Sequence, residues 1–195
     1  MKKMVLVIAL IAMAFSGSAF AQDLIWQNNV GVYFDEGATN FCGTADNGAI
    51  VTAYLVLSNM TEDNCKGYEI KLVTEGGFQL VGKTHPVNVV DVGTKPGEQI
   101  VGYDVPVPAV NGKVTMATFS FYVSDASVSS FATIERIYFP SIPGVPSYLT
   151  DAGDIIEMRQ STGGPYDPVF ILNGDCLGPV ATEETTFDNL KSLYR

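Results

Sequence analysis

Histidine is all but absent from this chain: His85 is the only one among 195 residues. A Ser-His-Asp arrangement needs an imidazole poised beside a nucleophile. His85 sits instead in "KTHPV", directly before Pro86, where the backbone is biased to be extended. It reads as a strand-edge surface residue. No GxSxG elbow occurs, and no Walker A or dinucleotide fingerprint. The 21 acidic residues show no spacing that singles out the carboxylate pair of a glycosidase. The chain reads as a non-enzyme that carries no cofactor.

Cysteine is scarce too. Cys42, Cys65 and Cys176 form no CxxC pair, which excludes a structural zinc site of the usual spacing. An odd count allows one bridge with one free thiol, or an intermolecular bond. Tryptophan is limited to Trp26, and basic residues number 11 against 21 acids. So acidic a surface repels nucleic-acid phosphates.

Long apolar runs are missing after the first. Met4 to Phe15 is uninterrupted, follows Lys2 and Lys3, and precedes the small-x-small triplet Ala19-Phe20-Ala21. Spanning a bilayer takes roughly 18 or more residues, so residues 1–21 read as a secretory signal peptide cleaved before Gln22. A secreted, extracellular or periplasmic chain is expected, with no transmembrane segment in its mature part. Removing the signal leaves nine basic against 21 acidic residues, a net charge of −12.

What remains is β-rich. Apolar and polar residues alternate in "IWQNNVGVYF" (25–34), "IVTAYLVLSN" (50–59), "YEIKLVT" (68–74), "FQLVG" (78–82), "VNVVDV" (87–92), "QIVGYDVPV" (99–107), "KVTMATFSFYV" (113–123), "ATIERIYFP" (132–140), "IIEMRQ" (155–160) and "PVFILNG" (168–174). Alternation over four to eight residues marks half-buried strands. The separators "DNG", "EGG", "TKPGE", "VNGK" and "TGGPYDP" are turn chemistry. About nine or ten such strands predict an all-β domain over 22–180, an antiparallel β-sandwich or jelly roll. Pro106 and Pro108 place the end of their strand at an edge or bulge. "PSIPGVPSYLTDAGD" (140–154) reads as a long loop, either a functional surface or a plain crossover between sheets.

Loop acids offer hard oxygen ligands of the kind calcium takes. The candidates are Asp35, Glu36 and Asp46 near the first loop and Asp151 and Asp154 in the long one. No EF-hand pattern is present, and ordinary solvated acids are the alternative. Tyr103, Tyr122 and Tyr138 fall on predicted strands, as a sugar-stacking platform or as packing with a polar tip at the rim.

The C-terminus changes character. In residues 181–195, Thr185 or Thr186 is placed to cap a short helix. Phe187, Leu190 and Tyr194 then form one apolar stripe, with Leu193 beside it and Lys191 and Arg195 at the far end, where a helix dipole favours cations. So short a helix must dock on something: its own sandwich, as a lid, or a partner, as a recognition or sorting tag.

Two stretches carry a resemblance. "GVYFDEGATNFC" (31–42) and "PVFILNGDCLGPVATEETTFDNLKSLYR" (168–195) resemble a group of uncharacterised secreted bacterial proteins. These open with a "VYFD…C" strand and close with a "KSLYR" tail, where Phe187 stands for a usual Trp. The middle is similar to cohesin-like and carbohydrate-binding-module-like sandwiches, with "VTMATFSFYVSD" (114–125) matching their core strand. That kinship implies a non-catalytic module for extracellular protein binding, adhesion or surface assembly. The alternative is a carbohydrate-binding module, possibly stabilised by calcium, with a polysaccharide as its partner. In cohesin-like sandwiches the first and last strands lie side by side and parallel. The resemblance therefore implies a Cys42–Cys176 disulfide, with Cys65 free in the polar "TEDNCKG" turn and Cys42–Cys65 as the rival pairing.

Overall fold

A computed structural model describes residues 26–176. The expected signal peptide (1–21) and the expected short C-terminal helix (181–195), with Phe187, Leu190, Leu193 and Tyr194, lie outside the described residues.

Thirteen strands are described: β1 (Asn29–Tyr33), β2 (Cys42–Gly43), β3 (Ile50–Ser58), β4 (Asn64–Glu75), β5 (Phe78–Thr84), β6 (Val89–Asp91), β7 (Glu98–Pro108), β8 (Val114–Val123), β9 (Ser130–Glu135), β10 (Ser147–Leu149), β11 (Ile155–Glu157), β12 (Arg159–Gln160) and β13 (Phe170–Leu172). They form two sheets. The first has five strands in the order β12-β1-β3-β8-β5; the second, of eight, runs β11-β10-β4-β9-β13-β2 and carries β7 and then β6 beside β4. Pairing is antiparallel except for β1–β12 and β13–β2, so the expected β-sandwich is a mixed one.

The inner faces follow from the alternation. Val114, Met116, Phe119, Phe121 and Val123 of β8 are buried between β3 and β5. A register shift at Leu55/Val56 breaks the strict alternation there. Leu55, Val56 and Leu57 are consequently all buried, as a bulge permits. Phe121 and Phe78 of the five-stranded sheet meet Phe170 of the other at 5.6 Å and 6.1 Å, and Phe34 closes on Phe170 at 4.6 Å. Four rings thus hold the layers together, each contributing about 2 kcal/mol by burial. The Gly76–Gly77 turn also forms: Gly76 takes a φ of +99°, which a side chain disfavours.

Several sequence expectations need correction. β2 and β10 were not foreseen, and β10 lies inside the stretch taken as irregular loop. Cys65 belongs to no turn: it is fully buried within β4, its thiol directed at the Gly67 carbonyl. The predicted strand 132–140 ends at Glu135. The bulge expected near Pro106 is present, since β7 jumps from Gly102 to Val107 opposite Gly67 and Cys65.

The Cys42–Cys176 bridge is formed, with Cα atoms 5.5 Å apart. Its strand context differs from the one implied. β13 runs parallel to β2, and "GVYF" lies in the other sheet beside β3 and β12.

Candidate functional site

The outer face of the eight-stranded sheet carries apolar and aromatic side chains that stand in water. β7 is the rigid support. Its inward residues Gln99, Val101 and Tyr103 are buried, and the Tyr103 hydroxyl donates to the Met116 carbonyl at 2.6 Å. Alternation then sends Ile100 and Gly102 outward, with Val90 of β6 opposite Gly102. Val92 follows two residues later, its N–H donating to the Ile100 carbonyl. Val90 is 67% exposed and Val92 58%. Asn88, Val89, Val90, Gly102, Tyr103 and Asp104 line a shallow depression of about 300 Å³ here. A Cβ on Gly102 would meet nothing within 4 Å, so the glycine leaves a flat spot beside Val90.

Polar groups frame the ridge. Lys83 and Asp91 form an ion pair, and the Asp91 carboxylate also accepts from the N–H groups of Gly93 and Ile100. Partial burial pushes the Asp91 carboxyl upward, but the Lys83 ammonium and those N–H groups outweigh it and hold it below the usual value. Asn88 donates to Asp104 at 2.9 Å, and the Lys66 ammonium donates to the Asp104 carbonyl.

Beneath the face runs a hydrogen-bonded chain. The Tyr68 hydroxyl donates to Gln99 Oε1 at 3.0 Å and lies 3.2 Å from His85 Nε2. With the phenol proton directed at Gln99, the phenol oxygen is left to accept from His85 Nε2–H. His85 is therefore half-buried and engaged, a correction to the strand-edge surface reading. Desolvation lowers its pKa, Lys83 lowers it further, and Asp91 opposes both. Burial raises the Tyr68 phenol well above its ordinary value and pushes the Cys65 thiol up to about 12. A neutral imidazole against a protonated phenol, beside an inert thiol, activates no nucleophile.

A second feature lies on the same sheet. Glu98, Lys71 and Glu135 stand in register across β7, β4 and β9, with Lys71 Nζ 3.0 Å from Glu135. They form the floor of a groove of about 610 Å³, walled by residues 95–96, 136–138 and 165–166. Tyr138 was expected on a strand. It lies instead past the end of β9, 65% exposed, and Tyr166 is 75% exposed. Tyr103 is buried, and Tyr122 is half-buried on β8.

The calcium candidates are dispersed. Asp35 serves its own loop, accepting from the N–H groups of Thr39 and Asn40 and from the Thr39 hydroxyl. Slight desolvation raises its carboxyl, and those donors together bring it below the usual value. Glu36 and Asp46 are exposed. Asp151 and Asp154 sit in the β10–β11 turn, where their N–H groups donate to Asn64 Oδ1 and Thr150 Oγ1. Among the described residues no three His, Cys, Asp or Glu side chains gather as a metal site.

No family model and no curated protein matches this chain. Solved structures do resemble it. CaCohA2 from Clostridium acetobutylicum is 11% identical over 75% of this chain and 89% of its own, with a TM-score of 0.49. A type II cohesin domain from the cellulosome of Acetivibrio cellulolyticus is 18% identical over 76% and 96%, with a TM-score of 0.47. The sixth cohesin of that organism's scaffoldin B, solved in complex with a Cel5 dockerin mutant, is 11% identical over 77% and 100%, with a TM-score of 0.45. At these values no partner or activity passes to this chain.

Proposed function

We propose that this chain is an exported, non-catalytic recognition module that holds an extracellular protein partner on the outer face of its eight-stranded sheet, in adhesion or surface assembly. The observation that carries the reading is the pair Val90 and Val92, exposed on one face of a strand pair that is otherwise anchored in the core. Apolar side chains grouped in water and rimmed by polar groups mark interaction surfaces. The edge strand β6 has only three residues, too short a template for strand addition. The partner therefore docks on the face, with the flat spot at Gly102 taking its closest approach. The apolar run and cleavage pattern of residues 1–21 support export.

The test uses Gly102→Arg. The substituted side chain enters open space, so the fold is retained while the face is blocked. Immobilised chain should retain a discrete protein from the source culture medium, and the variant should lose it. Equal retention by both would refute this face as the site.

A further inference from the structure

We propose that the groove floored by Lys71 and walled by Tyr138 and Tyr166 is a second binding site, for an acidic polysaccharide built of uronic-acid units. It shares no lining residue with the depression beside Val90, so either site stands without the other.

The charge arrangement selects an anion. Lys71, Lys95 and Arg136 all line this groove, three of the nine basic residues that follow the signal in a chain with 21 acids. The two groove carboxylates are already engaged. Glu135 pairs with Lys71. Glu98 accepts the Tyr138 N–H on one oxygen at 2.7 Å and the Lys95 N–H on the other at 3.2 Å. Lys95 and Arg136 form no ion pair among the described residues. The Arg136 guanidinium reaches only the Ile137 carbonyl, at 3.5 Å, and the Lys95 ammonium lies 6.0 Å from the Tyr138 ring centroid. Two cations therefore face the groove without a carboxylate of their own, on a protein whose general field repels anions. A carboxylate carried in by a ligand is the complement they lack.

The aromatic arrangement selects a sugar as its carrier. Tyr138 and Tyr166 expose their rings to the groove, and a pyranose presents an apolar C–H face that stacks on such rings. The Tyr138 ring is braced edge-on by Phe139, with centroids 4.6 Å apart, and its backbone is tied to Glu98. Gln160 is buried at the groove base and fastened through Nε2 to the Ile134 carbonyl. No donor among the described residues reaches its Oε1, which is left to accept from a sugar hydroxyl.

Isothermal titration of the chain with short oligogalacturonates tests the assignment, alongside a cello-oligosaccharide and poly-glutamate at matched charge. Oligogalacturonate should bind and weaken with added salt, while the other two do not bind. The double variant Lys95→Gln/Arg136→Gln and the single variant Tyr166→Ala should each lose about tenfold or more. Gly102→Arg should bind oligogalacturonate as the parent does. Absence of oligogalacturonate binding overturns the proposal. Equal binding of poly-glutamate would make the ligand an acidic protein, and equal binding of the neutral glycan would remove the role of the cations; either result also overturns it. So does unchanged affinity in both groove variants.

Discussion

Cys42 and Cys176, 134 positions apart in the chain, are bonded to one another. The bridge fastens the end of β13 beside β2, with Ile171 opposite Cys42 in the parallel ladder. It closes most of the domain into one loop, and loop-closure entropy puts its contribution at about 5 kcal/mol. Cys42→Ser/Cys176→Ser should therefore unfold at clearly lower denaturant than the parent. Matching midpoints under non-reducing conditions would contradict this.

Cys65 should be silent. Its thiol is fully buried in β4 and pushed up to about 12 by desolvation, and the thiolate is the reactive form. A chromogenic disulfide reagent at pH 8 should label no thiol in the native protein and one in denaturant. Prompt labelling of the native chain would place Cys65 elsewhere.

His85 should give the fold a pH dependence. Its pKa in the fold is lowered from 6.5, first by burial and then by Lys83. The unfolded chain takes up the proton at a higher pH than the folded one, so stability rises with pH across that interval. The contribution is complete above about pH 6.5 and is lost as pH falls through the lower, folded value. The lowered carboxyls of Asp35 and Asp91 act further down, in the usual carboxylate range. Denaturation midpoints should thus fall as pH drops below about 6.5, and His85→Gln should flatten that step alone.

The sequence made the sandwich legible because its long strands alternate: β3, β7 and β8 were read nearly to their ends. The misses have physical causes. β2 and β10 have two and three residues, shorter than one full alternation. Polar "TEDN" disguised the start of β4, where pairing with Val107 and Pro108 overrides local propensity. "RIYFP" alternates like a strand, yet only Ile137 of the trio 137–139 is buried, and Tyr138 and Phe139 turn to solvent. The groove was not legible because it joins residues from 71 to 166 through strand register. The valines of the ridge were visible as a strand, but which of its faces lacks a cover is decided by tertiary packing. For the five loop acids, composition offered ligand types without the convergence that a metal site needs.

Glu69 shows how one side chain fixes a segment of that face. Its buried carboxylate accepts from the Ser141 N–H at 2.7 Å, the Ser141 hydroxyl at 2.9 Å and the Ser147 hydroxyl at 2.8 Å, tying the approach to β10 onto β4. Glu69→Ala should cost about 3 kcal/mol by leaving these donors unpaired, and should speed amide exchange at Ser141. Unchanged exchange would mean that the segment is held by other contacts.

The central claim is that a protein partner seats on the Val90 ridge. The most direct measurement replaces Val90 with a photoreactive residue and, in a second variant, replaces Thr52, which is exposed on the five-stranded sheet. Each is irradiated in the source culture medium and the adducts are resolved by mass. The account predicts one discrete protein adduct from position 90, absent when Gly102→Arg is added, and none from position 52. No adduct at position 90, or the same adduct from both positions, would contradict it.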